Sequence, residues 1–198
     1  MRNGENIRAL EKLDIDWMGF IFYSRSPRCV PNDADICEAI QTCSKIKIGV
    51  FVNAKASEIL HNCAMYRLDY VQLHGDEPPD FCLRLRNEGC AVIKAFSLSS
   101  ENDLTHTSEF ENFANYFLFD TKTEERGGSG KCFNWSILEA YRGETPFLLS
   151  GGIAPEHIGE LKNLRHKKMA GIDLNSRFEL APGMKNIEKI EHFITRVK

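Results

Sequence analysis

The sequence lacks both a concentration of one charge and a long hydrophobic run. Its 25 Lys and Arg residues and 28 Asp and Glu residues are well mixed, and the formal net charge is −3. A nucleic-acid-binding surface needs a concentrated basic face, and a membrane helix needs roughly 18 consecutive apolar residues. Residues 1–6 are polar and lack the apolar stretch of a signal peptide. We therefore expect no nucleic-acid partner, no membrane partner and a cytoplasmic location.

The cysteines lack the pairing that a disulfide framework or a zinc site requires. The sequence has seven of them, and no two stand in a Cys-x-x-Cys spacing. An odd, scattered set argues against both kinds of site. Cys37, Cys63 and Cys82 lie within apolar helical patterns, where small buried thiols are common. We expect no metal site.

Seven short apolar runs predict β-strands. They are dense in Val, Ile, Leu and Phe rather than alternating with polar residues, as is typical of parallel strands covered by helices. The predicted strands cover residues 18–22, 46–52, 70–73, 91–96, 116–119, 146–149 and 171–174.

Amphipathic helical patterns separate these strands, and one more precedes the first of them. An alternation of strands and helices indicates a parallel sheet. With 42% hydrophobic residues in 198 positions, the chain can bury one core, so we expect a single domain over residues 1–198. The predicted fold is α/β, a (β/α)8 TIM barrel. Because eight helical segments accompany only seven strands, the first strand is expected to be missing from this chain.

Two strand ends predict a phosphate site. Gly151 and Gly152 end one strand and lead into a helix, while Asn175, Ser176 and Arg177 follow the next strand. Glycines let the backbone approach a ligand, and N–H groups at a helix start favour an anion. Barrels commonly bind phosphate between the loops after their last two strands. The expected ligand is a phosphorylated small molecule.

Other polar side chains stand at further strand ends. Asp120 is either a general acid or base, or a structural cap for the loop that follows. Arg25 and Arg28 could clamp a carboxylate or phosphate in a bidentate fork, or form a solvated basic turn. Gln72 and His74 end another strand. His74 either titrates in a site or hydrogen-bonds its loop, and the structural role is favoured.

These pieces, in this order, resemble the phosphoribosylanthranilate isomerase family. Gln-Leu-His-Gly at 72–75 and Gly-Gly-Ser-Gly-Lys at 127–131 are the more specific pieces. The resemblance spans nearly the whole chain, through residues 19–23, 26–28, 49–53, 71–78, 119–122, 127–131, 149–152 and 173–176.

The resemblance implies an Amadori rearrangement in tryptophan biosynthesis. N-(5′-phosphoribosyl)anthranilate would become 1-(2-carboxyphenylamino)-1-deoxyribulose 5-phosphate, without a cofactor. Asp120 would be the general acid, and Arg28 would hold the anthranilate carboxylate. The remaining candidates for substrate binding are Gln72, His74, Gly151, Gly152, Asp173, Asn175 and Ser176, of which the glycines, Asn175 and Ser176 would hold the phosphate.

One departure from the family concerns the general base. The resemblance implies a cysteine at the end of a first strand, in a Lys-x-Cys-Gly stretch, and Met1-Arg2 aligns just after that stretch. Neither Cys29 nor Cys132 is expected to replace it, because a base must reach one particular proton. We therefore expect this chain to be weakly active or inactive, and less stable than an intact barrel.

Two alternatives remain open at this stage. One is another phosphate-binding barrel enzyme, such as a sugar-phosphate epimerase or a thiamine-phosphate synthase-like protein. The other is a catalytically silent barrel that only binds a phosphorylated ligand. The chain is expected to be a monomer or a homodimer.

Overall fold

The computed structural model describes residues 1–121 and 135–198. The predicted glycine-rich loop at 127–131 lies outside the described residues, as do Lys122, Cys132 and Asn134.

Seven parallel strands form one curled sheet, and their order in the sheet is their order in the chain. This confirms the predicted α/β barrel type with seven rather than eight strands in the described residues. The strands are β1 (Trp17–Ile21), β2 (Ile46–Phe51), β3 (Tyr70–Leu73), β4 (Ala91–Leu98), β5 (Tyr116–Thr121), β6 (Phe147–Ser150) and β7 (Met169–Ile172).

Helices cover the outer face of the sheet. The α-helices are α1 (Gly4–Glu11), α2 (Ala34–Thr42), α3 (Ala56–Tyr66), α4 (Pro79–Asn87), α5 (Ile158–Asn163) and α6 (Ile187–Val197). Short 3-10 helices occupy Glu101–Phe110, Trp135–Ala140, Pro155–His157 and Ser176–Phe178. A two-stranded antiparallel hairpin, β8 (Glu179–Ala181) with β9 (Met184–Lys185), follows β7 and was not predicted from the sequence.

Local sequence explains where several helices start. The side chain of Asn3 accepts a hydrogen bond from the Asn6 N–H at 2.7 Å at the start of α1. Asp33 accepts one from the Ile36 N–H at 3.1 Å at the start of α2. Both are N-caps, which satisfy N–H groups that have no partner inside the helix. Pro79 opens α4 at a position that needs no N–H donor.

The core has two layers because successive strand side chains point to opposite faces. Phe117 and Phe119 of β5 pack outwards against the helices, in the larger apolar cluster. Leu118, between them, packs inwards in a smaller cluster, and Tyr116 packs against that cluster. The inward series of β5 therefore runs from Tyr116 through Leu118 to Asp120.

The curled sheet is open between β1 and β7. These two strands end the strand order, and no described residue forms a strand between them. A cavity of about 1020 Å³ runs along this seam. Gly19 and Ile21 of β1 line one side of it, and Ala170 and Ile172 of β7 line the other.

Candidate active site

The cavity gathers the nine site residues that the family resemblance implies, whereas Arg25 and Arg177 are not among its lining residues. Its lining includes Arg28, Gln72, His74, Asp120, Gly151, Gly152, Asp173, Asn175 and Ser176. They come from the carboxyl ends of different strands, and the parallel sheet brings those ends to one edge. Their roles remain predictions; their convergence on one cavity is a structural observation.

Gln72, His74 and Asp120 form a hydrogen-bonded series. Gln72 Nε2 lies 3.1 Å from His74 Nδ1, and His74 Nε2 lies 3.3 Å from Asp120 Oδ2. With Gln72 Nε2 as the donor, Nδ1 accepts and the ring hydrogen that faces Asp120 lies on Nε2. That N–H donates to the Asp120 carboxylate. The series places a proton carrier beside the carboxylate that faces the cavity.

Gly151 and Gly152 form a turn that other residues adopt poorly. Their φ angles are +90° and +63°, in the left-handed region where a Cβ is strained. The turn follows Ser150, whose hydroxyl donates to Asp173 Oδ2 at 2.9 Å. This hydrogen bond ties the ends of β6 and β7 together. A close backbone approach to a ligand is therefore possible here.

Asn175 lies beside a largely buried cation. Lys185 Nζ, on β9, donates to Asn175 Oδ1 at 2.9 Å and to the Leu174 carbonyl oxygen at 3.2 Å. Burial lowers the pKa of Lys185, against the opposing influence of Glu179 and Asp173. Lys185 also lines the cavity. The loop after β7 thus presents an amide, a hydroxyl and a nearby ammonium, a set suited to an anion.

Arg28 is held by a carboxylate that the sequence analysis missed. Its Nε lies 2.8 Å from Glu179 Oε2 and 3.1 Å from Oε1, and its Nη2 lies 2.8 Å from Oε2. The two residues are 151 positions apart. The one available signal was a charged residue among the apolar neighbours Phe178 and Leu180.

Comparison with known proteins decides the family. The family model for N-(5′-phosphoribosyl)anthranilate (PRA) isomerase matches residues 1–196. The chain belongs to the PRA isomerase family. A family relative from Parabacteroides distasonis is 49% identical over 200 residues, covering 100% of this chain and 90% of the relative.

Solved PRA isomerases share the fold of this chain. The structure from Thermotoga maritima is 32% identical with a TM-score of 0.81, covering 100% of this chain and 95% of that one. A second PRA isomerase structure holds reduced 1-(o-carboxyphenylamino)-1-deoxyribulose 5-phosphate. It is 28% identical with a TM-score of 0.79, covering 100% of this chain and 94% of that one.

A buried ion pair supports the His74 loop in this PRA isomerase family member. Lys94 Nζ donates to the Gly75 carbonyl oxygen at 2.7 Å and lies 3.3 Å from Glu77 Oε2. Glu77 also accepts from the N–H groups of Asn53 at 2.8 Å and Gly75 at 2.9 Å. The carboxylate is thereby satisfied away from water, as a buried charge requires. Sequence analysis did not single out this pair.

The described lining of the cavity also bears on thiol and metal chemistry. Among the described residues that line it, none is a cysteine. Cys29 follows Arg28, and its Sγ lies 3.6 Å from the Val30 carbonyl oxygen. In residues 1–121 and 135–198 no three His, Cys, Asp or Glu side chains are grouped to hold a metal ion. In the same ranges no helix is long and apolar enough to span a bilayer.

Proposed function

We propose that this chain acts as a PRA isomerase in tryptophan biosynthesis, with Asp120 as its general acid. The observation that carries the proposal is that all nine candidate residues line one cavity, in a chain whose family is established. The family match does not favour the two alternatives, another phosphate-binding barrel enzyme or a silent binding protein.

The substrate has an anionic group at each end, and the cavity offers a cationic or N–H-rich surface for each. The phosphate is assigned to Gly151, Gly152, Asn175 and Ser176, beside the ammonium of Lys185. The anthranilate carboxylate is assigned to Arg28. Holding both ends fixes the ribose against Asp120, and such positioning removes much of the entropic cost of reaction.

The chemistry begins with proton transfer to the ribose ring oxygen. Asp120 supplies that proton from its protonated form and becomes a carboxylate, the bond between this oxygen and C1 breaks, and the nitrogen lone pair forms an iminium with C1. The iminium makes the C2 proton acidic, and its removal by a base neutralises the iminium and leaves an enol between C1 and C2. The ketone at C2 forms when C1 gains a proton and the C2 hydroxyl loses one. His74 Nε2, 3.3 Å from Asp120 Oδ2, orients the carboxylate. Hydrogen moves within one molecule, so the reaction consumes no redox cofactor.

Removal of the C2 proton needs a base. The family resemblance assigns it to a cysteine at the end of a first strand, and the described cavity lining contains no cysteine. We therefore expect slow turnover by the 198-residue chain. An added N-terminal strand ending in Cys-Gly is expected to raise turnover, because residues on both sides of the seam between β1 and β7 line the same cavity as Asp120.

The experiment follows anthranilate-ring fluorescence after freshly made PRA is mixed with the chain carrying that added strand. We expect turnover, and we expect Asp120→Asn to reduce it about a hundredfold or more, as loss of a general acid does. The matched control is Asp35→Asn, which removes an exposed carboxylate paired with Arg8 and should leave turnover unchanged.

Two results would contradict the proposal. If turnover is unchanged in Asp120→Asn, Asp120 is not the general acid. Tight binding of the reduced product analogue without turnover, even with the strand added, would select the silent binding barrel.

The proposal also covers the oligomeric state and the cellular location of the chain. One structural neighbour consists of monomers generated from the dimeric PRA isomerase of Thermotoga maritima, and we propose a monomer or homodimer for this chain. The relatives of this chain are PRA isomerases, and because these are biosynthetic enzymes we propose a cytoplasmic location.

A further inference from the structure

Glu179 binds two nitrogens of the Arg28 guanidinium at the cavity, and no step of the reaction uses it. Its side chain is 4% exposed, whereas that of Arg28 is 26% exposed. It receives the Arg28 guanidinium along the Nε and Nη2 edge, at 2.8 Å for both nitrogens to Oε2. The Gly183 N–H donates to Oε1 at 3.1 Å, and Lys185 Nζ lies 3.5 Å from Oε1.

We propose that Glu179 is a positioning residue that aims the Arg28 guanidinium at the carboxylate of the substrate. The inference rests on the proposed function, because it takes Arg28 as the group that binds the anthranilate carboxylate.

The hydrogen bonds to Glu179 leave the Nη1–Nη2 edge of the Arg28 guanidinium for a ligand. A guanidinium carries five N–H donors in a fixed planar fork. Glu179 engages Nε–H and one N–H of Nη2, so the Nη1 hydrogens and the second Nη2 hydrogen are not used by it. That remaining edge can grip a carboxylate in a bidentate fashion. Because Arg28 lines the cavity, a fixed orientation of its guanidinium favours binding of a carboxylate there.

The surroundings of Glu179 keep it charged for this task. Burial by itself raises the pKa of Glu179, but the hydrogen bond from Arg28, the charge of Lys185 and the Gly183 N–H outweigh it, and the pKa is lowered overall. Lys185 has its own contacts to Asn175 and the Leu174 carbonyl oxygen. Loss of the Glu179 charge should therefore affect the orientation of Arg28 more than it affects phosphate binding at the other end of the cavity.

The test compares two ligands by calorimetric titration of the 198-residue chain. Reduced 1-(o-carboxyphenylamino)-1-deoxyribulose 5-phosphate carries both the carboxylate and the phosphate, and ribulose 5-phosphate carries the phosphate alone. Glu179→Gln is expected to weaken binding of the first ligand about tenfold, the usual difference between a charge-assisted and a neutral hydrogen bond at such a site. Binding of ribulose 5-phosphate should change less than about twofold.

Further variants separate positioning from general damage. Arg28→Met should weaken the carboxylate ligand at least as much as Glu179→Gln, and the double variant should be no weaker than Arg28→Met, since Glu179 acts through Arg28. Glu179→Asp keeps the charge and provides a folded variant if Glu179→Gln does not fold. It should show the same selectivity with a smaller loss. Glu144→Gln, in an exposed pair with Lys168, is the matched control and should bind both ligands normally.

Three outcomes would overturn the inference. Equal weakening of both ligands by Glu179→Gln would mean a purely structural role. Normal binding by Glu179→Gln, with weakened binding by Arg28→Met, would rule out the positioning role of Glu179 and leave the proposed function intact. Normal binding by Arg28→Met would remove the assigned role of Arg28, and with it the basis for Glu179.

Discussion

At the scale of single residues, the contact between His74 and Asp120 follows from the two-residue repeat of β-strands. His74 stands two residues after Gln72, and Asp120 two residues after Leu118, so each continues the inward-facing series of its strand. Strand β4 lies between them in the sheet, and the two side chains meet across it at 3.3 Å. This convergence was predictable, because the sequence alone shows polar residues directly after apolar runs.

The partner of Arg28 was not predictable in the same way. Glu179 is 151 residues away along the chain, and no periodicity or motif length connects the two. The contact arises only once the sheet has curled and the hairpin β8–β9 has folded over the cavity. The sequence around Arg28 therefore left open a charged clamp or a solvated basic turn, and the orientation of the guanidinium required the tertiary structure.

A glycine substitution tests the turn after β6. Gly152 has a φ of +63°, so Gly152→Ala should lower the free energy of unfolding by about 1 kcal/mol, the usual cost of this conformation for a residue with a Cβ. Ribulose 5-phosphate should also bind more weakly. Urea unfolding and calorimetric titration measure the two effects.

The control for that prediction is Gly159→Ala in helix α5. A Cβ at Gly159 meets no atom within 4 Å, and alanine favours a helix more than glycine does. The free energy of unfolding should therefore stay the same or rise. Equal destabilisation by both substitutions would contradict the argument from φ.

At the scale of elements, one buried ion pair joins three strands. Lys94 extends from β4 to the loop after β3, through the Gly75 carbonyl oxygen and Glu77. Glu77 in turn accepts from the N–H of Asn53, just beyond β2. The side chains of Lys94 and Glu77 are 5% and 4% exposed, so removal of either leaves the other charge buried without its partner.

Lys94→Met should therefore lower the free energy of unfolding by about 3 kcal/mol, the lower end for breaking a buried pair. Urea unfolding gives the value. Lys168→Met makes the same change in an exposed pair with Glu144 and should have a much smaller effect. A loss below about 1 kcal/mol for Lys94→Met would contradict the structural importance of the pair.

Elements with a strong apolar pattern were predicted closely. The bounds of β3 agree with the prediction, and β2 differs by one residue at its end. The strand predicted at 171–174 lies two residues earlier, as β7. The helix predicted to follow Gly151 and Gly152 begins with a 3-10 turn, Pro155–His157, which leads directly into α5. The hairpin β8–β9 was missed because strands of three and two residues are too short to show a repeat.

At the scale of the whole molecule, the central feature is one cavity shared by the candidate site and the open seam. Residues from β1 and β7 line it on either side, together with Asp120 and the phosphate candidates. No strand of the described residues pairs with the outer edge of β1 or of β7. Exposed edges beside a cavity are unfavourable for stability, because backbone groups and apolar surface have fewer partners there. A single domain over residues 1–198 remains a prediction, as do the roles of the site residues.

The central claim is that this cavity binds the PRA isomerase substrate by its two anionic ends. The most direct measurement is a calorimetric titration of the 198-residue chain with reduced 1-(o-carboxyphenylamino)-1-deoxyribulose 5-phosphate, the compound held by a structural neighbour. We predict saturable binding with one ligand per chain, weakened by excess inorganic phosphate. Absence of saturable binding, or binding that phosphate does not weaken, would contradict the account.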